Sequence, residues 1–310
     1  LNFQEHSSYT TPPNSSNTNA LTFSSPLMQN IKVAFSKSFG TFGHELGQFS
    51  SPKSIYLSND LDLYVCDTKN SRVQVFNSNE ELIKVITSTE MKSPCSISID
   101  KYTKHVYVLD SEDFKIRVFD NEGKEINRFG GQGDSPWKFK GASSITISGN
   151  NKIYITDTID SKIKVFSLQG QYLTSFGKQG EGIGEYKSPY VITSFDEYLY
   201  ILDHAQPRIH VIDRAGIPQL MFGSRGAEQG KFTVPKGLAV DEAGRVYVSE
   251  NLTHRVQIFD RTGRFLYSFG KKGSKEGYFN DPESISISPQ NKIYVLDRGN
   301  NRVQVFRYLV

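Results

Sequence analysis

A chain of 310 residues with 37% hydrophobic and 22% charged residues has the balance of a folded protein rather than a disordered one. Its net charge of +3 is too small to demand nucleic acid or an anionic membrane. No apolar run approaches the roughly 18 residues of a membrane helix, and two cysteines support neither a disulfide framework nor a Cys-rich zinc site. Aromatics at 12%, with 25 glycines, favour β-structure with many turns.

Residues 1–30 are rich in Ser, Thr, Asn and Pro and carry no Lys or Arg. They read as a flexible, uncharged arm. The chain begins at Leu1, and an arm of this kind suits a secreted or cell-surface protein, so an extracytoplasmic location is the expectation.

From residue 31 onward one motif recurs six times. Residues 55–76 end in L-Y-V-C-D-T-K-N-S-R-V-Q-V-F, and residues 285–306 end in I-Y-V-L-D-R-G-N-N-R-V-Q-V-F. The copies are anchored on Asp67, Asp110, Asp157, Asp203, Glu250 and Asp297, spaced 43, 47, 46, 47 and 47 residues apart. Five positions after each anchor stands a base: Arg72, Lys115, Lys162, Arg208, Arg255 or Arg302. Each copy holds short alternating runs separated by turn residues, which predicts four antiparallel strands. The first strand follows Pro52, Pro94, Pro189, Pro235 or Pro282, with Ala142 in the remaining copy. The second ends on the acidic anchor, and the fourth ends in Phe-Gly, as at Phe129-Gly130 and Phe269-Gly270. A four-stranded repeat of about 45 residues is the signature of a β-propeller blade.

The ends predict how the ring closes. The chain stops just after the third strand of the sixth copy, and residues 31–40 end in Ser38-Phe39-Gly40. Gly40 precedes Asp67 by 27 residues, as Gly270 precedes Asp297. The N-terminal strand is therefore expected to complete the C-terminal blade, which removes two sheet edges at once. The expected architecture is an all-β, six-bladed propeller over residues 31–310.

The repeated Pro-x-x-I, Y-V-x-D, x-R-V-Q-V-F and G-x-F-L-x-S-F-G elements resemble those of the NHL-repeat propellers. The resemblance covers residues 31–310 and implies a six-bladed ring. It spans unrelated functions: a zinc-dependent peptide-amidating lyase, RNA-binding translational repressors, bacterial sensor ectodomains and interaction modules. The fold alone therefore assigns no activity.

Residues present in every blade serve what every blade needs. The six acids are expected to accept backbone N–H groups of their own turns and to meet the base five positions on. Phe76, Phe119 and Phe259 are expected in the core. Departures from the repeat are the functional candidates. The positions after each Pro, expected at the channel mouth, hold Lys53, Cys95, Tyr190, Lys236 and Glu283, with Ser143 in the Ala142 copy. His204 directly follows an acid, His254 occupies the corresponding loop of the next blade, and His44 lies in an inter-blade loop. Three such imidazoles from different blades are what the zinc-dependent lyase uses, and neutral imidazoles suit an open zinc site. A channel calcium of the lactonase type needs converging carboxylates, and the inner-strand starts supply only Glu283. The six loops between second and third strands sum to a charge near −1, which makes RNA an unfavoured partner, although Trp137 with Lys138 and Lys140 could stack on a base or a sugar. Cys66 and Cys95 fall at strand ends of adjacent blades, which makes a disulfide between them a candidate.

The expected function is non-catalytic binding or scaffolding without a cofactor. A protein, peptide or glycan would be recognised through the channel-mouth face by Lys53, Trp137, Tyr190, His204, His254 and Arg298. The alternative is a metal-dependent propeller enzyme of the amidating-lyase or lactonase type, followed by an RNA-binding propeller.

Overall fold

The computed structural model describes residues 31–309; the arm expected over 1–30 lies outside them. The described residues form six four-stranded antiparallel sheets. Blade 1 comprises Ser54–Leu57, Leu63–Asp67, Arg72–Phe76 and Leu82–Ile86. Blades 2 to 5 follow at 94–130, 142–176, 189–222 and 235–269. Blade 6 takes Pro282–Ile287, Lys292–Asp297 and Arg302–Leu309 from the C-terminal end, and its outer strand is Lys32–Phe39. That strand runs antiparallel to the last one, from Lys32 opposite Leu309 to Phe39 opposite Val303, with one bulge between Phe35 and Lys37. The ring closes as its spacing predicts.

The second and third strands of each blade are almost wholly buried. They are covered because blades pack on both faces, even where, as in the third strands, the sequence alternates apolar and polar residues. The apolar clusters accordingly lie between blades. Phe49, Ile55, Val65 and Phe76 of the first blade and its entry loop meet Tyr294, Leu296, Val303 and Val305 of the sixth. Within the V-Q-V of the third strand, Val73 and Val75 face the other way, into the cluster shared with blade 2.

The Phe-Gly ending has a steric cause. In five inter-blade loops an aromatic, Phe49, Phe139, Tyr186, Phe232 or Phe279, is buried. A Phe buried in this way contributes about 1.5–3 kcal/mol. Its ring lies where a Cβ on the Phe-Gly glycine would fall: 2.2 Å at Gly40 and 2.4 Å at Gly270. Both glycines also have φ near +90°, at 86° and 92°, a region that disfavours side chains. The short loop before blade 2 substitutes buried Met91 for this aromatic.

The first strands of neighbouring blades pack against one another around the channel. Serine hydroxyls stitch three of these joints. Ser284 Oγ accepts from Ile55 N at 3.2 Å, Ser96 Oγ from Ile145 N at 3.1 Å, and Ser144 Oγ from Ile192 N at 3.2 Å. The channel wall is thus a fixed support for the side chains at its mouth.

The disulfide is not formed, and both cysteines are free thiols. Cys66 belongs to the apolar cluster between blades 1 and 2, whereas Cys95 packs against the cluster between blades 2 and 3. The two side chains therefore leave their strands toward opposite faces of blade 2. Burial pushes the Cys95 thiol up to about 12 and the Cys66 thiol well above its ordinary range. No helix among the described residues is long and apolar enough to cross a membrane.

Candidate functional site at the channel mouth

The acidic ring is consumed by the scaffold. All six acids are fully buried. Each accepts backbone N–H groups from the loop that leads into its own blade. Asp67 takes Ser50 N at 2.7 Å, Asp297 takes Asn280 N at 2.7 Å, and Glu250 takes Thr233 N at 2.7 Å. In the other blades the acceptors are Asp110 for Lys92 N, Asp157 for Gly141 N and Asp203 for Lys187 N. A carboxylate holding such charge-assisted bonds has little left for a ligand.

The base five positions on pairs with the acid in only three blades, which corrects the expected six. Arg72, Arg255 and Arg302 donate through Nε at 2.8, 2.6 and 2.8 Å. There the residue two further on is a buried Gln, and Gln74, Gln257 and Gln304 each donate to the same carboxylate. In blade 3 that inner position holds Lys164, whose Nζ meets Asp157 at 2.9 Å and Asp160 at 3.1 Å. Blade 2 places Arg117 there, 3.7 Å from Asp110 and 2.8 Å from Asp113, so Lys115 is left to Asp113 alone. Blade 4 has His210, and its Arg208 turns instead to the Glu181 carbonyl at 2.9 Å.

The starts of the six inner strands converge as expected. Lys53, Cys95, Ser143, Tyr190, Lys236 and Glu283 all line one cavity of about 400 Å³ at the mouth. Tyr190 organises one side of it. Its hydroxyl lies 3.4 Å from Glu283 Oε1, the Lys236 ammonium sits 4.6 Å from its ring centre, and the His204 ring packs 5.3 Å away. Burial, countered by Lys236 and Arg298, holds the Glu283 carboxyl above the usual carboxylate range. Burial and the Lys236 charge hold His204 below the usual histidine range, so its imidazole is neutral at pH 7.

Of the six residues expected at the site, Lys53, Tyr190 and His204 line the mouth. Arg298 reaches it from outside: its Nη1 pairs with Asp281 at 2.7 Å and stands 3.9 Å from Glu283 Oε2. His254 is turned to the scaffold, its Nδ1 accepting Asp281 N at 3.2 Å. Trp137 is half-exposed in a different groove, with Lys115, Arg128 and Tyr172. Lys236 and Glu283 belong among the site residues and stood at the repeat position that predicts the mouth. The three histidines do not converge. His44 bonds Asn70 at 2.6 Å, and among the described residues no three His, Cys, Asp or Glu side chains come together as metal ligands. The three-histidine zinc arrangement does not fit these residues.

Comparison with known proteins decides the family. The NHL repeat matches residues 49–76, 232–259 and 279–306, and a model described as a 6-bladed beta-propeller matches residues 136–214. The chain is a six-bladed propeller that carries NHL repeats. The three NHL matches fall on blades 5, 6 and 1, the blades that share the Arg–Gln solution around the acid. Solved structures of similar fold include a protein of unknown function from Bacteroides thetaiotaomicron, at 14% identity and TM-score 0.70, covering 89% of this chain and 76% of that one. Virginiamycin B lyase from Staphylococcus aureus aligns at 12% identity and TM-score 0.63, over 90% and 100% of the two chains. Hydrazine synthase from Kuenenia stuttgartiensis aligns at 14% identity and TM-score 0.60, over 86% and 97%. At these identities the likeness is one of fold. No curated protein matches the sequence.

Proposed function

We propose that this NHL propeller is a non-catalytic binding module that holds its ligand at the channel mouth, outside the cytoplasm. One observation carries the proposal. The six inner-strand starts carry five different side-chain types, and all line a single cavity, whereas the repeated acids are used up inside the blades. A rigid ring with varied side chains around one mouth is suited to recognition. The test is a thermal-shift screen with small acids, sugars and short peptides. Compounds that stabilise the wild type are expected to lose their effect in Tyr190→Ala and Lys236→Ala and to keep it in Trp137→Ala. Hits that ignore both mouth substitutions would move the site elsewhere.

The enzyme reading rests on Glu283, a carboxyl kept proton-avid by burial beside the Tyr190 hydroxyl. Such a pair has the composition of an acid–base couple, and two proteins of similar fold are named as lyases. Turnover of a screened compound that is abolished by Glu283→Gln would favour it.

A further inference from the structure

We infer that the mouth takes a ligand through a carboxylate held between Lys53 and Lys236, with a hydrogen-bond donor of the same ligand directed at Glu283. The inference rests on the channel mouth being the binding site and names the chemistry it accepts. Three observations carry it.

The first is a charge excess. Lys53 and Lys236 both line the cavity, and among the described residues neither ammonium forms an ion pair with a carboxylate. Lys236 rests on the Tyr190 ring at 4.6 Å, which offsets part of a cation's desolvation but leaves its N–H donors unused. Arg298, the cation beside Glu283, is already matched to Asp281 at 2.7 Å. With Glu283 set against one of the two lysines, the recess keeps an excess of one positive charge, which, at an effective dielectric well below that of water, favours an anion.

The second is an acceptor without a partner. Glu283 is 7% exposed, and its Oε2 has no hydrogen bond, with Arg298 Nη1 3.9 Å away. An unpaired buried acceptor is destabilising, and a ligand N–H or O–H satisfies it. A bare anion without a donor, such as sulfate, would instead bring repulsion against this carboxyl.

The third is size. About 400 Å³ is at the small-molecule end of the range of about 300–1,000 Å³ for ligand pockets. It suits one acid unit: a free amino- or hydroxy-acid, or the last residue of a peptide chain, whose terminal carboxylate and backbone N–H present the same pair of groups.

The experiment is calorimetric titration of the full chain with N-acetyl amino acids, their C-terminal amides, tripeptides with free C-termini, glucuronate and inorganic phosphate. The acids are expected to bind and the matched amides to bind about tenfold or more weakly. Lys53→Met and Lys236→Met should each weaken the acids by roughly tenfold while the melting temperature holds. Glu283→Gln should weaken only ligands that carry a donor. Tighter binding of tripeptides assigns the site to peptide ends, and tighter binding of the single acids assigns it to free small acids. Equal binding of acids and amides, indifference to both lysine substitutions, phosphate binding with silent carboxylates, or no binding by any acid would overturn the inference. A neutral sugar or an amide that is lost in Tyr190→Ala but not in the lysine variants would leave the mouth as the binding site and remove only the carboxylate.

Discussion

Blades 1, 5 and 6 and blades 2, 3 and 4 have the same four strands but different polar interiors. In the first set a neutral Gln completes the buried acid. Gln74, Gln257 and Gln304 accept the amides of Gly47, Gly230 and Gly277 at 2.8, 2.8 and 2.9 Å, while their Nε2 groups bond the carboxylate and a loop carbonyl. In blades 2 and 3 a buried cation replaces the Gln, and an extra acid, Asp113 or Asp160, appears four residues before it to balance the charge. In blade 4 the same position holds His210, with no hydrogen bond on either ring nitrogen. The fold thus fixes the buried acid but not the chemistry of the residue beside it. Satisfaction by neutral amides, by a charge network and by nothing at all coexist in one ring.

The comparison is put under most strain at blade 6, which has the complete Arg–Gln interior but borrows its outer strand. If that interior were sufficient, the blade would tolerate losing Lys32–Phe39. The strand carries Phe35 against Phe306 at 5.9 Å and Phe39 against Phe76 at 5.0 Å, so its loss uncovers two cores and a sheet edge. Deleting residues 31–40 is expected to lower the melting temperature by about 10 °C or more, as calorimetry would show; an unchanged temperature would mean that the blade stands without closure. The next largest effect is in blade 3. Lys164→Gln leaves the buried Asp157 without its cation, while Asp160, partly exposed, keeps Lys140 at 3.0 Å, and is expected to cost about 3–5 kcal/mol in denaturant unfolding. Adding Asp160→Asn supplies the Asn and Gln that blades 1 and 6 use, where Asn70 and Asn300 occupy the equivalent place, with Lys162 still standing where those blades have Arg72 and Arg302, and should recover part of the loss. A double variant no better than the single one would show that the two interiors are not interchangeable.

Much of this architecture was legible in the sequence, and the reason is steric. Phe-Gly recurs because an aromatic of the next loop occupies the space of a Cβ, and the offset of Gly40 from Asp67 repeats that of Gly270 from Asp297 because both end the same kind of strand. The position after each Pro led to the mouth because the register from Pro to acid is constant, as in Pro189 opposite Asp203 and Pro282 opposite Asp297. The inner partner of the acid was not legible. In V-Q-V, I-R-V, I-K-V and I-H-V the central residue reads as the solvent face of an alternating strand, yet in a blade covered on both sides it is buried. Placement of Trp137, His254 and Arg298 depends on the course of loops, which periodicity does not encode. His254, for instance, sits at φ 52° and turns its ring back onto Asp281.

His210 offers the smallest effect and the sharpest one. Its ring is fully buried against Tyr186, with Asp203 and Arg208 as its charged neighbours. Burial is the main cause that brings it down to about 4, from an ordinary value of 6.5. Above pH 6.5 neither the folded nor the unfolded chain protonates it, and folding is unaffected. Between 6.5 and 4 the unfolded chain takes up a proton that the folded one refuses, so stability falls with pH across that window, by about 3 kcal/mol at its lower end. His210→Gln is expected to act twice. At pH 7 the amide reaches the groups that Gln74 serves in blade 1, here Gly184 N and the Glu185 carbonyl, and stabilises the chain by about 1 kcal/mol, a rise of about 2–4 °C. Between pH 6.5 and 4 the gap between variant and wild type should widen, because the acid-sensitive group is gone. Melting curves at pH 7.5 and 5 separate the two contributions. A gain at pH 7.5 that does not grow at pH 5 would mean that the imidazole is already charged in the folded blade, paired with Asp203, and that blade 4 belongs with the charge networks of blades 2 and 3.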